Sequence, residues 1–427
     1  MAVDLLIVNA AEVLTLRDLG PGPARGSKQG SLGIVRGGGV AIGGGHILDV
    51  GASDRVWREH RHSGCEVIDA KGGVVLPGFV DPHTHLVFAG DRADEWEKRM
   101  GGVSYLDILR QGGGILSTVK KTRAASAEVL LGSARRFAAL AIGSGTTSVE
   151  IKSGYCLDGE GELKLLEVIA RLGQVLPIEV VATYLGAHVL APEYRADREG
   201  YLELVERTAL IARQRGLARY FDVFCEHEAF TLEESRRLLT SARGLGFELK
   251  LHAEQFSASG AARLGLQLGA TSIDHLEYLD DETLAELGRA ANCPLAVLLP
   301  AVAFHLGLDR HAPGDRLVAA GVPVALATDM NPGSSFTPSM PMTIAIACRT
   351  QKLSVAQAIV AATYNAAWAV GLGERVGCLE PGRRADVLVC DVPDHRWLGY
   401  AFGYNPVSVV VADGRVVARG GHLLPAA

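Results

Sequence analysis

Apolar and polar positions along the chain follow three regimes. Over the first ~70 residues short alternating runs, at 5–7, 39–42, 46–50 and 66–69, read as strands, and the Gly- and Pro-rich stretch 20–33 between the first two reads as a loop. The last ~50 residues repeat the pattern, with strands at 385–390 and 407–411 and an Asp413-Gly414 hairpin turn before 415–418. The middle differs. Compact apolar runs predict strands at 74–85, 146–152, 179–187, 221–226, 248–253, 272–277, 295–299 and 322–328. Helical periodicity lies between most of them, at 127–140, 160–172, 201–215, 232–245, 259–269 and 282–290. Strand–helix alternation implies a parallel sheet, and eight strands in roughly 260 residues is the usual size of a closed barrel. The fold expected is therefore α/β: a (β/α)8 TIM-like barrel over 73–375, with a small β-sandwich domain built from both chain termini, 1–72 plus 376–427. An open doubly wound sheet is the alternative. It usually brings a Gly-rich phosphate turn after its first strand, and none follows here; Gly112-Gly113-Gly114 comes too late and reads as a loop near the site.

Bulk composition narrows the partners. The chain has 427 residues, 48% hydrophobic, enough for a large core. A net charge of −6 without a long basic run argues against nucleic acid and anionic membrane. No apolar stretch approaches the ~18 residues of a membrane span, and Met1 to Ala10 does not read as a secretory signal. Seven scattered cysteines without a Cys-x-x-Cys pair suit reduced thiols, so a cytoplasmic location is expected. Cys156 and Cys225 lie near strand ends and read as small buried residues.

The chemistry sits at the strand ends, where such barrels carry their active sites. The first expected strand ends in His83-Thr84-His85, whose alternate side chains can face one ion. The third ends at His188, the fifth carries His252, the sixth His275, and the eighth ends at Asp329. These ends hold five of the chain's 13 histidines, or six with His227 after the fourth strand. A catalytic metal needs about three protein ligands and an open position. His83, His85 and His252 supply three nitrogens, and Asp329 a fourth ligand that also serves as base for water. Read alone, His252 is a core histidine as readily as a ligand, and Asp329 a turn cap. His275 reads as a ligand or, preferably, as a stabiliser of the attacking water or the oxyanion. Lys152 on the second strand is either a bridge between two metals or a partner for a nearby carboxylate. Three imidazoles and a carboxylate suit one divalent or trivalent metal ion, zinc or iron, with manganese compatible.

The run Pro77-Gly78-Phe79-Val80-Asp81-Pro82-His83-Thr84-His85, together with His252, His275, Asp329 and the return through 377–386, resembles the single-metal type of the amidohydrolase superfamily. Longer stretches are similar to the imidazolonepropionase family: 83–92, 102–105, 111–115, 117–120, 150–155, 184–188, 250–255 and 327–334. That resemblance implies opening of the lactam ring of 4-imidazolone-5-propanoate to N-formimidoyl-L-glutamate in histidine degradation, by a homodimer. It places Arg92 on the substrate carboxylate, for which a guanidinium fork is suited. Away from the resemblance, Arg92 reads as a surface partner of Asp91 or Asp94. The resemblance also puts Asn331, Gly333 and Ser334 against substrate, although that stretch alone is merely a turn. Tyr105, Tyr155 and His188 can donate hydrogen bonds to the carboxylate or ring.

One position departs from the pattern. Some family members carry an acid three residues after the fifth-strand histidine, and here that residue is Gln255, preceded by Glu254. Gln255 can bind a ring N–H but cannot carry a proton, which leaves Asp329 or His275 for that task and Glu254's role open. Two rivals stand beside lactam hydrolysis: deamination of a small heterocycle such as cytosine or guanine on the same barrel, and a non-catalytic binding protein.

Overall fold

The computed structural model describes residues 2–103 and 113–425. Eight strands form the central sheet in chain order: Phe79–Asp81, Thr146–Lys152, Glu179–Ala187, Tyr220–Cys225, Glu248–Ala253, Ser272–His275, Leu295–Leu298 and Val324–Leu326. Every neighbouring pair is parallel. The eighth strand meets the first through side chains and single peptide bonds. Thr328 donates to Asp81 from its N–H (3.1 Å) and its hydroxyl (2.6 Å), and Asp329 N donates to His83 O at 3.0 Å. The result is a nearly closed parallel barrel with helices between its strands.

The helices start where short polar residues can accept orphan N–H groups. Ser126, Asp158, Asp197, Thr231 and Asp280 cap five of them. Their apolar faces, such as Leu130 and Ile142 or Leu165 and Ile169, share one buried core with strand residues Val149 and Ile151. Thr231 and Glu234 form a capping box, and Arg198 binds Glu234 through two N–H groups. Those bonds, Arg198 first, hold the Glu234 carboxyl at about 2. A depressed carboxylate contributes stability above its unfolded value of about 4.3, and that stability is lost as pH falls through about 2. Glu234→Gln should therefore be less stable at neutral pH and show a shallower loss on acidification; parallel urea melts between those limits check it.

Both termini join one nine-stranded sheet, as expected from their strand-rich pattern. Its order is His422–Leu423, Arg415–Arg419, Val407–Ala412, Val387–Cys390, Val74–Pro77, Leu5–Leu14, Ile34–Gly43 and His46–Ala52, with Glu66–Asp69 also beside Leu5–Leu14. The ends meet where Val387–Cys390 pairs antiparallel with Val74–Pro77.

That pairing corrects one expectation. The run 74–85 is not a single strand. Val74–Pro77 belongs to the terminal sheet and only Phe79–Asp81 to the barrel. Gly78 marks the switch, because a Cβ there would lie 2.1 Å from Thr147 Oγ1. Pro82 then ends the barrel strand, having no N–H to offer a neighbour. His83 and His85 thus sit just beyond the ladder. Four other strands stop a residue or more short of the predicted ends, where Glu226, Glu277, Leu299 and Thr328 leave the ladder. Among the described residues, no helix is long and apolar enough to cross a membrane.

Candidate metal-dependent active site

The barrel mouth gathers the strand-end residues into one buried cluster. The His83 ring centroid lies 4.5 Å from that of His252, 5.3 Å from His85 and 5.7 Å from His275. Asp329 Oδ1 stands 3.5 Å from His83 Nε2 and 3.4 Å from His85 Nε2. Two overlapping groups, His83–His85–Asp329 and His83–His252–His275, bring one donor atom per residue within 4.8 Å of each other.

Carboxylates behind the rings set which nitrogen faces inward. His83 Nδ1 lies 2.6 Å from Asp274 Oδ2, and His252 Nδ1 lies 3.1 Å from Asp222 Oδ1. A carboxylate takes the proton-bearing Nδ1, which leaves each Nε2 as a lone pair. Burial also keeps the rings neutral, driving His83 well below the usual imidazole range, His85 to about 3 and His252 to about 4. His83 Nε2 and Asp329 Oδ1 are fully buried without a hydrogen-bond partner. Facing acceptors in a dry site are costly unless a cation lies between them. The donor set fits a metal ion.

His275 differs from the other three. Burial lowers it, but Glu277, with Oε2 3.6 Å from Nδ1, together with Asp329 and Asp274, outweighs burial and raises it. The strand ends here also hold unusual backbone: φ is 51° at Glu254, 85° at His275, 72° at Leu276 and 50° at Asp329. Left-handed conformations of non-glycine residues are costly and gather at functional sites. Bonds from Leu276 N to Ala253 O and from Tyr278 N to Glu254 O hold this stretch.

A cavity of about 550 Å³ opens above the cluster, with His85, His252, His275 and Asp329 in its floor. Arg92, Tyr155, His188, Gln255, Asn331, Gly333 and Ser334 all line it. Tyr105 lies outside the described residues. His188 stacks on His85 (5.2 Å, 17°), its Nδ1 held 2.9 Å from Gly154 O. Arg92 Nε donates to Glu95 at 2.8 Å, and its guanidinium packs over Gly333, where a Cβ would lie 2.0 Å from Nη1. The surface pairs with Asp91 or Asp94 do not form among the described contacts. Asn331 organises its own loop: it donates to Asp329 O and Ser334 Oγ and accepts from the Gly333 and Ser334 N–H groups. Glu254 turns away from the cavity and accepts from Ala262 N at 3.0 Å. Lys152 lies below the imidazoles, ion-paired with Glu150 and Asp222, each at 2.8 Å, so it serves as a carboxylate partner rather than a metal bridge.

Sequence reasoning missed Asp222 and Asp274 behind the histidines, and Arg99, Phe224, Leu306 and Leu308 in the cavity wall. Asp222 had a signal, being the one charge in the apolar strand Tyr220–Cys225. Leu306 and Leu308 had none, since they follow the seventh strand in an ordinary helix and turn.

Comparison with known proteins agrees with this geometry. The amidohydrolase family profile matches residues 74–417, and the chain belongs to that family. Within it, the chain is a member of the imidazolonepropionase family. It is 44% identical over 425 residues to the imidazolonepropionase of Symbiobacterium thermophilum, covering 99% of both chains. It is 45% identical over 402 residues to that of Rubrobacter xylanophilus, covering 94% of this chain and 96% of the relative. An adenosine deaminase from Xanthomonas campestris, solved with bound zinc, shares the fold with a TM-score of 0.74 at 19% identity, over 100% of this chain and 95% of that one.

Proposed function

We propose that this chain hydrolyses the lactam C–N bond of 4-imidazolone-5-propanoate to N-formimidoyl-L-glutamate in histidine degradation, with one zinc or iron ion. The observation that carries the reading is the buried cluster of His83, His85, His252 and Asp329, of which all but His83 line a cavity that also contains Arg92. Relatives named imidazolonepropionase over nearly the whole chain support the substrate.

His83, His85, His252 and Asp329 hold the metal in this reading. Once bound there, such an ion acidifies water and polarises a carbonyl. Arg92 takes the propionate, and Tyr155, His188 and Gln255 orient the ring. Asp329 accepts a proton from the attacking water as its oxygen bonds to the ring carbonyl carbon. His275 donates to the developing oxyanion. The C–N bond breaks as the ring nitrogen gains a proton, which Asp329 or His275 supplies. Glu254 takes no part, because its carboxylate faces a helix start instead of the cavity.

We place the protein in the cytoplasm as a homodimer. Its seven free cysteines suit a reducing compartment, and light scattering checks the dimer.

The test is product identity. The purified, metal-replete chain given imidazolone propionate should yield formimidoylglutamate and no ammonia. Ammonia release would favour the deaminase reading, and no turnover would sink the substrate. Arg92→Ala should lower kcat/KM by about 10- to 100-fold, mainly through KM, because one charged hydrogen-bonded contact is lost. Gly333→Ala should act in the same direction by pushing Arg92 aside.

A further inference from the structure

Directly behind the imidazoles, the barrel interior carries a layer of buried charge. Lys152, Asp222 and Asp274 come from the second, fourth and sixth strands and are all fully buried. Lys152 Nζ lies 2.8 Å from Asp222 Oδ2 and 3.8 Å from Asp274 Oδ2, with Glu150 Oε1 also at 2.8 Å. Each aspartate also faces one site histidine: Asp222 faces His252, and Asp274 faces His83. One ammonium therefore joins two separate carboxylate–imidazole pairs. A second buried lysine, Lys250, donates to Pro82 O at 3.0 Å and fixes the chain just before His83.

This arrangement has a mechanical consequence. A carboxylate bonded only to an imidazole can still swing about its own side-chain bonds. The Lys152 ammonium restrains both carboxylates, and through them the imidazoles: it holds Asp222 on the oxygen that does not face His252, and it attracts Asp274 at 3.8 Å on the oxygen that faces His83. The carboxylate behind a metal-binding histidine sets ring orientation and ligand strength, and losing one typically weakens metal binding.

We propose that Lys152 is a positioning residue for metal capture: by tying Asp222 to Asp274, it presents Nε2 of His252 and of His83 to one point. The proposal rests on the metal reading above and adds a residue that touches neither metal nor substrate. A purely structural lysine would give a different result. Its loss would lower stability and leave the metal affinity of the folded protein unchanged.

Zinc affinity, measured on the intact protein by competition with a colour-forming chelator, separates the two. Lys152→Met should bind zinc about 10- to 100-fold more weakly than wild type. Asp222→Asn should do the same, and the double variant should lose little more than the worse single one, because both changes break one chain of contacts. Folded Lys152→Met with wild-type affinity, or losses that simply add, would overturn the proposal. Should Lys152→Met not fold, Lys152→Gln, which can hold one aspartate but not both, takes its place with the same expectation. A wild-type chain that takes up no zinc, iron or manganese overturns the metal reading itself.

Discussion

Asp329→Asn should leave the barrel folded and lower kcat by about 10²- to 10⁴-fold, the usual contribution of a positioned general base. The change is nearly isosteric. The backbone bond from residue 329 to His83 O does not involve the side chain, and Ser334 Oγ, 3.3 Å from Asp329 Oδ2, can still donate to an amide oxygen. What disappears is a carboxylate within 3.5 Å of both His83 and His85, able to take a proton and to counter a cation. Steady-state ring-opening kinetics with a parallel metal assay check this. A fall in kcat with metal retained assigns the loss to the base, whereas unchanged turnover refutes the base role.

Removal of the metal should abolish turnover and lower stability together. Binding to the native state alone stabilises it by about 4 kcal/mol when free metal stands about a thousandfold above Kd. The geometry gives the reason: His83 Nε2 and Asp329 Oδ1 are buried, 3.5 Å apart and without a hydrogen-bond partner. The chelated protein should therefore melt earlier than the metal-loaded protein, and added zinc or iron should restore both activity and melting temperature. Calorimetry with and without chelator reads this directly. Equal melting curves would mean that the cluster is satisfied without an ion.

The barrel and the cluster were legible because each rests on a short-range signal. Strand–helix alternation gave the parallel barrel, and polar residues recurring at the ends of apolar runs gave His83, His85, His188, His252, His275 and Asp329, which the fold gathers at one mouth. Two features were not legible. The run from Val74 to Val80 carries a Pro77-Gly78 break, but that its two halves join different sheets at Gly78, packed tightly against Thr147, is a tertiary fact. In the charged layer of Lys152, Lys250, Asp222 and Asp274, only Lys152 was read as the partner of a nearby carboxylate, and the rest was hidden for a similar reason. In isolation each is a stray charge within a strand, and only barrel closure brings the opposite signs together. Glu254 shows the limit of strand alternation. At φ 51° it has already left the strand, so period-two reasoning does not govern where its carboxylate points.

The central claim is that the metal cluster opens a lactam ring by adding water. Turnover of imidazolone propionate in water labelled with heavy oxygen, followed by mass spectrometry, tests it most directly. The account predicts a ring-opened product with one heavy oxygen in its newly formed carboxylate, no ammonia, and loss of the reaction on chelation. A product that keeps the ring and releases ammonia, or labelled ring opening that persists after the metal is removed, would contradict it.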